Sequence, residues 1–523
     1  MGKLMNSEAL GKFYNGGRTK VRREWRGLAD TWFDYKCWVK TWGMLFKFLF
    51  NRQNLKGFLR YRWMLNYIAT PDFLDRCNEG LRGNQLRLSH MEFGFIVKEL
   101  MRSLTLMFKA DQNIGGSKEL SDKMVIMDEN MMEEIMFGFP NLYFMCPQVA
   151  GVFALCAVSQ DSQIRYIDKT EEFGITGDVC AMPKSELGLC IEDDTLDIGK
   201  CMLHCNTTCD TSLMGNGIED WRYRKPSFAI AASEHIEDEL VLEYAVDEIK
   251  AAIRFVEEQT GEKWDWDAYF RNMKVLNEQT RIFLEILEIN KTQYPQVPEN
   301  VINLYRDIYY TRMLNADGED YLKIDRKIRE VMHKGYKNKE LVCTEIRHRA
   351  LIWGVQGEFY TAFPNWLLNC WGIVGITHML SLTSTKIYAD TDTPENREQA
   401  LYDLADLYVN MIMRNRSEGG FRLGVDDVWR FCEELKMDMI VMCEQIACKA
   451  LTGWHGIYEE EAAKRGIHVV WVPHALLDPR KASRQNMRDQ VNRYMRTVLG
   501  EEPLDPSLEY IEDDNAWYGE RYE

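Results

Sequence analysis

Two uninterrupted apolar runs, Asp438-Met-Ile-Val-Met-Cys443 and His468-Val-Val-Trp-Val-Pro473, flank a helix-length stretch and constrain the fold more than any other feature of this chain. Runs without polar alternation are strands buried on both faces, and the residues between them suffice for a crossover helix. The pattern predicts a βαβα unit on a parallel sheet, hence an α/β protein. Such a sheet needs helices on both sides, and its ligands bind outside the carboxyl ends of its strands. That edge falls here on the loop Glu444-Gln-Ile-Ala-Cys448-Lys449.

Related signals precede this unit. Residues 142–146 and 149–158 are apolar runs, 174–180 lead into a loop carrying Met182, Pro183 and Lys184, and 201–210 reach Cys209. Residues 228–232 read as a short buried strand, and 351–355 and 372–376 are strand-like. Helical spacing marks 237–260, where Ala245, Val246, Ile249, Ala252 and Val256 form one stripe and Gly261 ends it. Further helices are predicted over 268–290, 399–413 and 425–435. A chain of 523 residues is too long for one core. The predicted division is a helical extension over 1–130, broken near Gly115-Gly-Ser-Lys118, α/β domains over 131–300 and 351–500, a helical connection over 301–350 and an acidic tail over 501–523.

Apolar content of 46% describes a globular chain, and a net charge of -17 argues against general nucleic-acid binding. No apolar stretch is long enough for a transmembrane segment, and the first residues lack the pattern of a signal peptide, so a cytoplasmic protein is expected. One segment runs against the overall sign. Residues 18–62 carry many Lys and Arg against Glu24, Asp30 and Asp34, threaded by Trp25, Trp32, Trp38 and Trp42. A basic aromatic helix either lies on a membrane surface or acidic partner, or packs on its own domain with its Lys and Arg stems snorkelling.

The 14 cysteines are expected as reduced thiols, some binding metal. Cys180, Cys209 and Cys448 each follow an apolar run or turn, where strand ends converge. Thiolates are the ligands of iron–sulfur clusters, and three on one 4Fe-4S cubane leave an iron open to substrate. Each taken alone also has the ordinary reading of a small buried hydrophobe. The chain has no Gly-x4-Gly-Lys-Ser/Thr loop, no Gly-x-Gly-x-x-Gly fingerprint, no His-Glu-x-x-His helix and no Gly-x-Ser-x-Gly elbow. An ATP-driven step would therefore need a partner.

Glu171-Glu-Phe-Gly-Ile-Thr-Gly-Asp-Val-Cys180 with Leu187-Gly188, then Thr208-Cys209-Asp210 and then Cys448-Lys449 resemble, in order, the three cluster-cysteine motifs of the 2-hydroxyacyl-CoA dehydratase and benzoyl-CoA reductase superfamily. Leu477-Asp-Pro-Arg480 and Ser483-Arg-Gln485 to Arg488 are similar to its closing turn and helix. The resemblance implies two Rossmann- or flavodoxin-like parallel-sheet domains with added helices, and a related second subunit. It also implies an ATP-hydrolysing iron–sulfur activator, and an acyl-CoA or aryl-CoA substrate. The reaction implied is a one-electron reduction of the thioester to a ketyl radical that expels water. The alternatives are a benzoyl-CoA-type aryl-CoA reductase, a double-cubane-cluster reductase of small molecules, and a non-catalytic scaffold subunit. Thr211 and Ser212 depart from the family pattern, as does the long N-terminal extension. The surplus Cys190, Cys201, Cys205 and Cys443 suit the double-cubane branch, although Cys443, on the strand itself, also reads as packing.

The proposed ligands are thus Cys180, Cys209 and Cys448. Lys449 either stabilises negative charge on the cluster or thioester or forms a loop salt bridge. Glu358 and His455 are candidates for proton transfer, against ordinary readings as a solvated loop Glu and a helix-surface His. Trp454 is expected to pack rather than stack on the CoA adenine.

Overall fold

Among the described residues eight short strands form two parallel sheets, and of the two long apolar runs the one at 438–443 is a central strand and the one at 468–473 an edge strand of the second sheet. The computed structural model describes residues 26–127, 133–205, 210–231, 238–302, 319–382, 385–410 and 421–511. Trp25, Cys209, residues 303–318 of the expected connection, residues 411–413 and the tail beyond 511 lie outside the described residues, and the helix expected from 237 begins at Val241 after a turn. The first sheet holds β1 (Met124–Met127), β2 (Tyr143–Met145), β3 (Cys201–Cys205) and β4 (Ser227–Ile230) in the order β2-β1-β3-β4. The second holds β5 (His348–Trp353), β6 (Ile373–His378), β7 (Met439–Gln445) and β8 (His468–His474) in the order β6-β5-β7-β8. Every pairing is parallel. The two orders are equivalent, so each sheet reverses its winding between its first and third strands, the flavodoxin-like switch point.

The period-2 alternation of the strands sorts their side chains into separate cores. Met124, Ile126 and Met202 of the first sheet and Ile352, Val441 and Cys443 of the second belong to one continuous apolar core. The opposite faces pack elsewhere, Val125 and Leu203 under the helices Val241–Thr260 and Trp266–Asn290, and Leu351, Ile440 and Met442 in the other flank. The N-terminal helices are part of this central core. Leu45 and Phe48 of the helix Leu28–Leu49 and Leu104 and Phe108 of the helix Gly83–Ala110 enter it, and the Tyr67 hydroxyl donates to the Ala150 carbonyl at 2.7 Å.

Three predicted elements differ. Residues 149–158 form a π turn and then an α-helix, because an apolar run of that length suits a buried helix as well as a strand. The expected loop at Met182-Pro-Lys184 lies in the helix Ala181–Ile191, where proline in the first turn has no N–H that a helix would use. The expected buried strand over 228–232 is β4 on the sheet edge, with Ser227 and Ala229 exposed and only Ile230 buried. β1, the central strand of the first sheet, has no counterpart among the predicted strands. No helix among the described residues is long and apolar enough to cross a membrane.

At the amino edge of the second sheet, His348 sits between Asp438 at 2.9 Å and Glu501 at 3.0 Å. Burial alone would lower the imidazole pKa, but the two carboxylates outweigh it and raise it. The stabilisation is present in full below the unfolded histidine pKa and is lost as pH rises through the raised folded value. His348→Gln should therefore cost about 1–2 kcal/mol near pH 5.5 and clearly less near pH 9, read by urea unfolding at both.

Candidate functional site

A crossover helix in a parallel sheet runs back from the carboxyl edge, so its N-terminus lies where ligands bind. Cys180 is the N-cap of one such helix, Ala181–Ile191, and is half-buried. Its sulfur receives a hydrogen bond from Nε2 of Gln445, the last residue of β7, at 3.2 Å. The other end of that amide, Oε1, accepts the Ala447 N–H, and the Gln445 carbonyl accepts the Cys448 N–H at 2.8 Å. One buried glutamine therefore shapes the turn presenting Cys448 and binds the sulfur of Cys180 from the other domain. A donor aimed at sulfur favours the thiolate, as does the helix N-terminus behind Cys180.

The same two loops meet again at their rims, where Lys449 Nζ lies 3.5 Å from Asp178 Oδ2. Both side chains are largely in water, so this pair orients more than it stabilises. The Thr176 hydroxyl and the Lys449 charge hold the Asp178 carboxyl below its ordinary range. Beneath the loop, the Lys184 ammonium, only 1% exposed, donates to Glu171 Oε1 at 2.7 Å and reaches the Gly177 carbonyl at 3.4 Å. Lys481 donates to the same carbonyl from the second domain. Burial raises the Glu171 pKa, but the Lys184 hydrogen bond and the nearby cations bring it below the usual value.

Arg480, in the Asp-Pro-Arg turn, spans the domain seam. It contacts both carboxylate oxygens of Asp478, at 2.8 and 3.0 Å, and Asp168 Oδ1 at 2.8 Å on the helix Ile164–Phe173. Next to it, Arg484 donates to the Phe359 carbonyl and Arg488, 1% exposed, to the Tyr360 hydroxyl. The Gln/Arg helix, Arg484–Tyr494, thereby fixes the loop after β5. Glu358 lies in that loop, its N–H bonded to the Leu476 carbonyl at 3.0 Å. Its charge, after burial, contributes to raising the pKa of Cys156 across the seam. Sequence reasoning missed Gln445, Lys481 and the interdomain role of Arg480, because no local pattern distinguishes a strand-end glutamine or loop lysine that finds its partner in another domain.

His455 is placed apart from this group. It stacks on Trp471 with ring centroids 3.6 Å apart and bonds Glu444 Oε1 at 2.6 Å, residues that alternate with the Cys443 and Gln445 side of the strand. Trp454 packs on Tyr458. The structure thus brings together the loops of Cys180, Cys448 and Lys449, and sets Glu358 in the seam and His455 on the other face.

The chemistry of the donors suits a sulfur-ligated group shared between the domains. Cys180 and Cys448 are half-buried at the carboxyl edge, whereas Cys190, Cys201, Cys205 and Cys443 are buried. Burial pushes Cys201 up to about 12 and raises Cys190 and Cys443 further. Among the described residues no three His, Cys, Asp or Glu side chains converge on a metal position. Cys209, the third proposed ligand, lies outside them, in the segment joining β3 to the helix Asp210–Tyr223. That helix packs on the one capped by Cys180, since a side chain at Gly215 would meet Glu186 Oε2 at 3.2 Å and Pro183 at 3.8 Å.

Comparison with known proteins adds one match. Residues 139–497 match the model of a family described as 2-hydroxyglutaryl-CoA dehydratase, D-component. No curated protein matches the chain.

The Arg480 junction gives a graded expectation. Asp478 is 1% exposed, so Arg480→Ala leaves a buried carboxylate without its cation and should cost about 3–5 kcal/mol in urea unfolding. Asp168 is 43% exposed, and Asp168→Asn should cost under about 1 kcal/mol.

Proposed function

This chain belongs to the 2-hydroxyglutaryl-CoA dehydratase D-component family, and from that premise we propose that it is the iron–sulfur subunit of a 2-hydroxyacyl-CoA dehydratase-type enzyme. Membership makes it a dehydratase-type subunit with a partner subunit. The proposal adds a single 4Fe-4S cluster held by Cys180, Cys209 and Cys448, an ATP-hydrolysing activator that delivers one electron, and elimination of water from an acyl-CoA. The observation that carries it is the meeting of the Cys180 and Cys448 loops, tied by Gln445 at 3.2 Å. Cys201 and Cys205 belong to the outer apolar core with Val125 and Leu203, whereas Cys180 packs against the central core, which favours one cubane over a larger cluster.

When bound, the cluster supplies one-electron chemistry and an iron that polarises a substrate oxygen. The remaining work falls to the protein. Gln445 orients Cys180 and favours its thiolate, and Lys184 and Lys481 hold the loop that carries it. Lys449 places a cation at the rim, suited to the negative charge of a CoA thioester undergoing reduction. Glu358, in the seam, is the remaining candidate of the two for moving a proton, because His455 is engaged by Glu444 and Trp471 on the other face.

The protein isolated without oxygen should contain about four irons and four sulfides per chain, and the reduced form should give an iron–sulfur paramagnetic signal. Cys180→Ser, Cys209→Ala and Cys448→Ser should each lower the iron content and abolish acyl-CoA dehydration assayed with partner, activator, ATP and reductant. Wild-type iron content in all three variants would exclude these ligands, and about eight irons would replace the cubane with the larger cluster.

A further inference from the structure

The helix Leu28–Leu49 is apolar on two sides. Its inner side, through Thr41, Leu45 and Phe48, is buried in the central core, so its position is fixed by packing. Its outer side presents Trp32, Tyr35, Val39, Phe46 and Phe50 at helical spacing, between 48% and 71% exposed. The rings form a continuous ladder from Trp32 through Tyr35, Trp38, Trp42 and Phe46 to Phe50, with neighbouring centroids 5.6–6.1 Å apart. Leu55 and Leu59 of the helix Arg52–Arg60 extend the stripe. A contiguous apolar face of this size on a folded surface marks an interaction site.

The polar groups beside the stripe identify the kind of surface it fits. Lys36, Lys40 and Lys47 follow one edge at spacings of four and seven residues, and the Lys36 ammonium lies 5.1 Å from the Trp32 ring centroid. Both acids of this helix are engaged away from the stripe, Asp30 by Arg87 at 3.0 Å and Asp34 by Arg26 at 2.9 Å and His90 at 2.6 Å. At the end of the lysine row a groove of about 440 Å³ opens between this helix and Gly83–Ala110, lined by Lys47, Arg102 and Lys109 together with Met44, Phe48 and Leu106. Cations beside apolar side chains match a phosphate headgroup and its acyl chain. The face is basic on a chain of net charge -17, so its sign is local. A second copy docking antiparallel through the same face would set like-charged rows together. The helix also precedes residues 139–497, so the family match does not account for it.

We infer that this face docks on the surface of an anionic lipid bilayer, with the aromatic ladder in the headgroup region and the lysine row against lipid phosphates. The test is flotation of the purified full chain with phosphatidylcholine vesicles with or without roughly a third phosphatidylglycerol, alongside light scattering of the protein alone. Two triple variants, Trp32→Ser/Phe46→Ser/Phe50→Ser and Lys36→Glu/Lys40→Glu/Lys47→Glu, change mainly exposed side chains, and circular dichroism checks their fold. The chain should float with anionic vesicles and poorly with neutral ones. The lysine variant should bind at least about tenfold more weakly, and the aromatic variant should not float. Failure to float, or flotation unchanged in both variants, overturns the inference. So does an aromatic variant that turns a self-associated protein into a monomer while neither form binds vesicles, which would make the face a protein interface.

Discussion

Everything in this fold depends on parallel strand pairing, because a parallel sheet has to be covered on both faces. The chain meets that need economically for the eight short strands among its described residues: the inner faces of both sheets share one core, and separate helical layers cover the outer faces. Sharing a core fixes the sheets against each other. Loops leaving the carboxyl edge of one sheet can then reach those of the other, which is how Gln445 at the end of β7 meets Cys180 in the crossover between β2 and β3. The N-terminal helices contribute Leu45, Phe48 and Phe108 to the same core, and so belong to the structure that holds the site.

Polar contacts across the seam do something the apolar core cannot. A shared core resists separation but tolerates small slides, whereas hydrogen bonds fix direction. Arg480 between Asp478 and Asp168, Lys481 on the Gly177 carbonyl and Gln445 on Cys180 each join the two domains. Desolvation offsets much of what a buried ion pair gains, so the clearest value of Arg480 lies in placement and in keeping Asp478 paired. Placement is what a group with ligands on several loops requires, since its ligands have to arrive together.

How much of this was legible in the sequence follows from the pattern each element leaves. β7 and β8 are long apolar runs rich in Val and Ile, and the helix Val241–Thr260 has one buried stripe and a glycine stop, so both are readable. The helix Ala181–Ile191 buries nearly every residue, so it shows no 3.6-residue period, and Pro183 imitates a break. β1 is only Met-Val-Ile-Met, too short to separate from a helical turn, yet it is central. Motif order singled out the loops of Cys180 and Cys448, which the structure brings together, but not Gln445, the residue joining them. For the aromatic segment the packing alternative describes one side of the helix. Its inner side packs on the domain, and its outer side is the aromatic face that composition announced without locating.

A site divided between domains has a thermodynamic consequence. If Cys180 and Cys209 come from the first α/β domain and Cys448 from the second, the free energy of binding a cluster is also free energy of domain docking, because ligands on separated domains cannot bind it together. By linkage, contacts that align the domains would strengthen retention of the proposed cluster, and the cluster would in turn steady the seam. Gln445 stands at the centre of that coupling. Its amide is held at one end by the turn that presents Cys448 and gives its other end to Cys180, so with both contacts made, neither cysteine can move without disturbing the other.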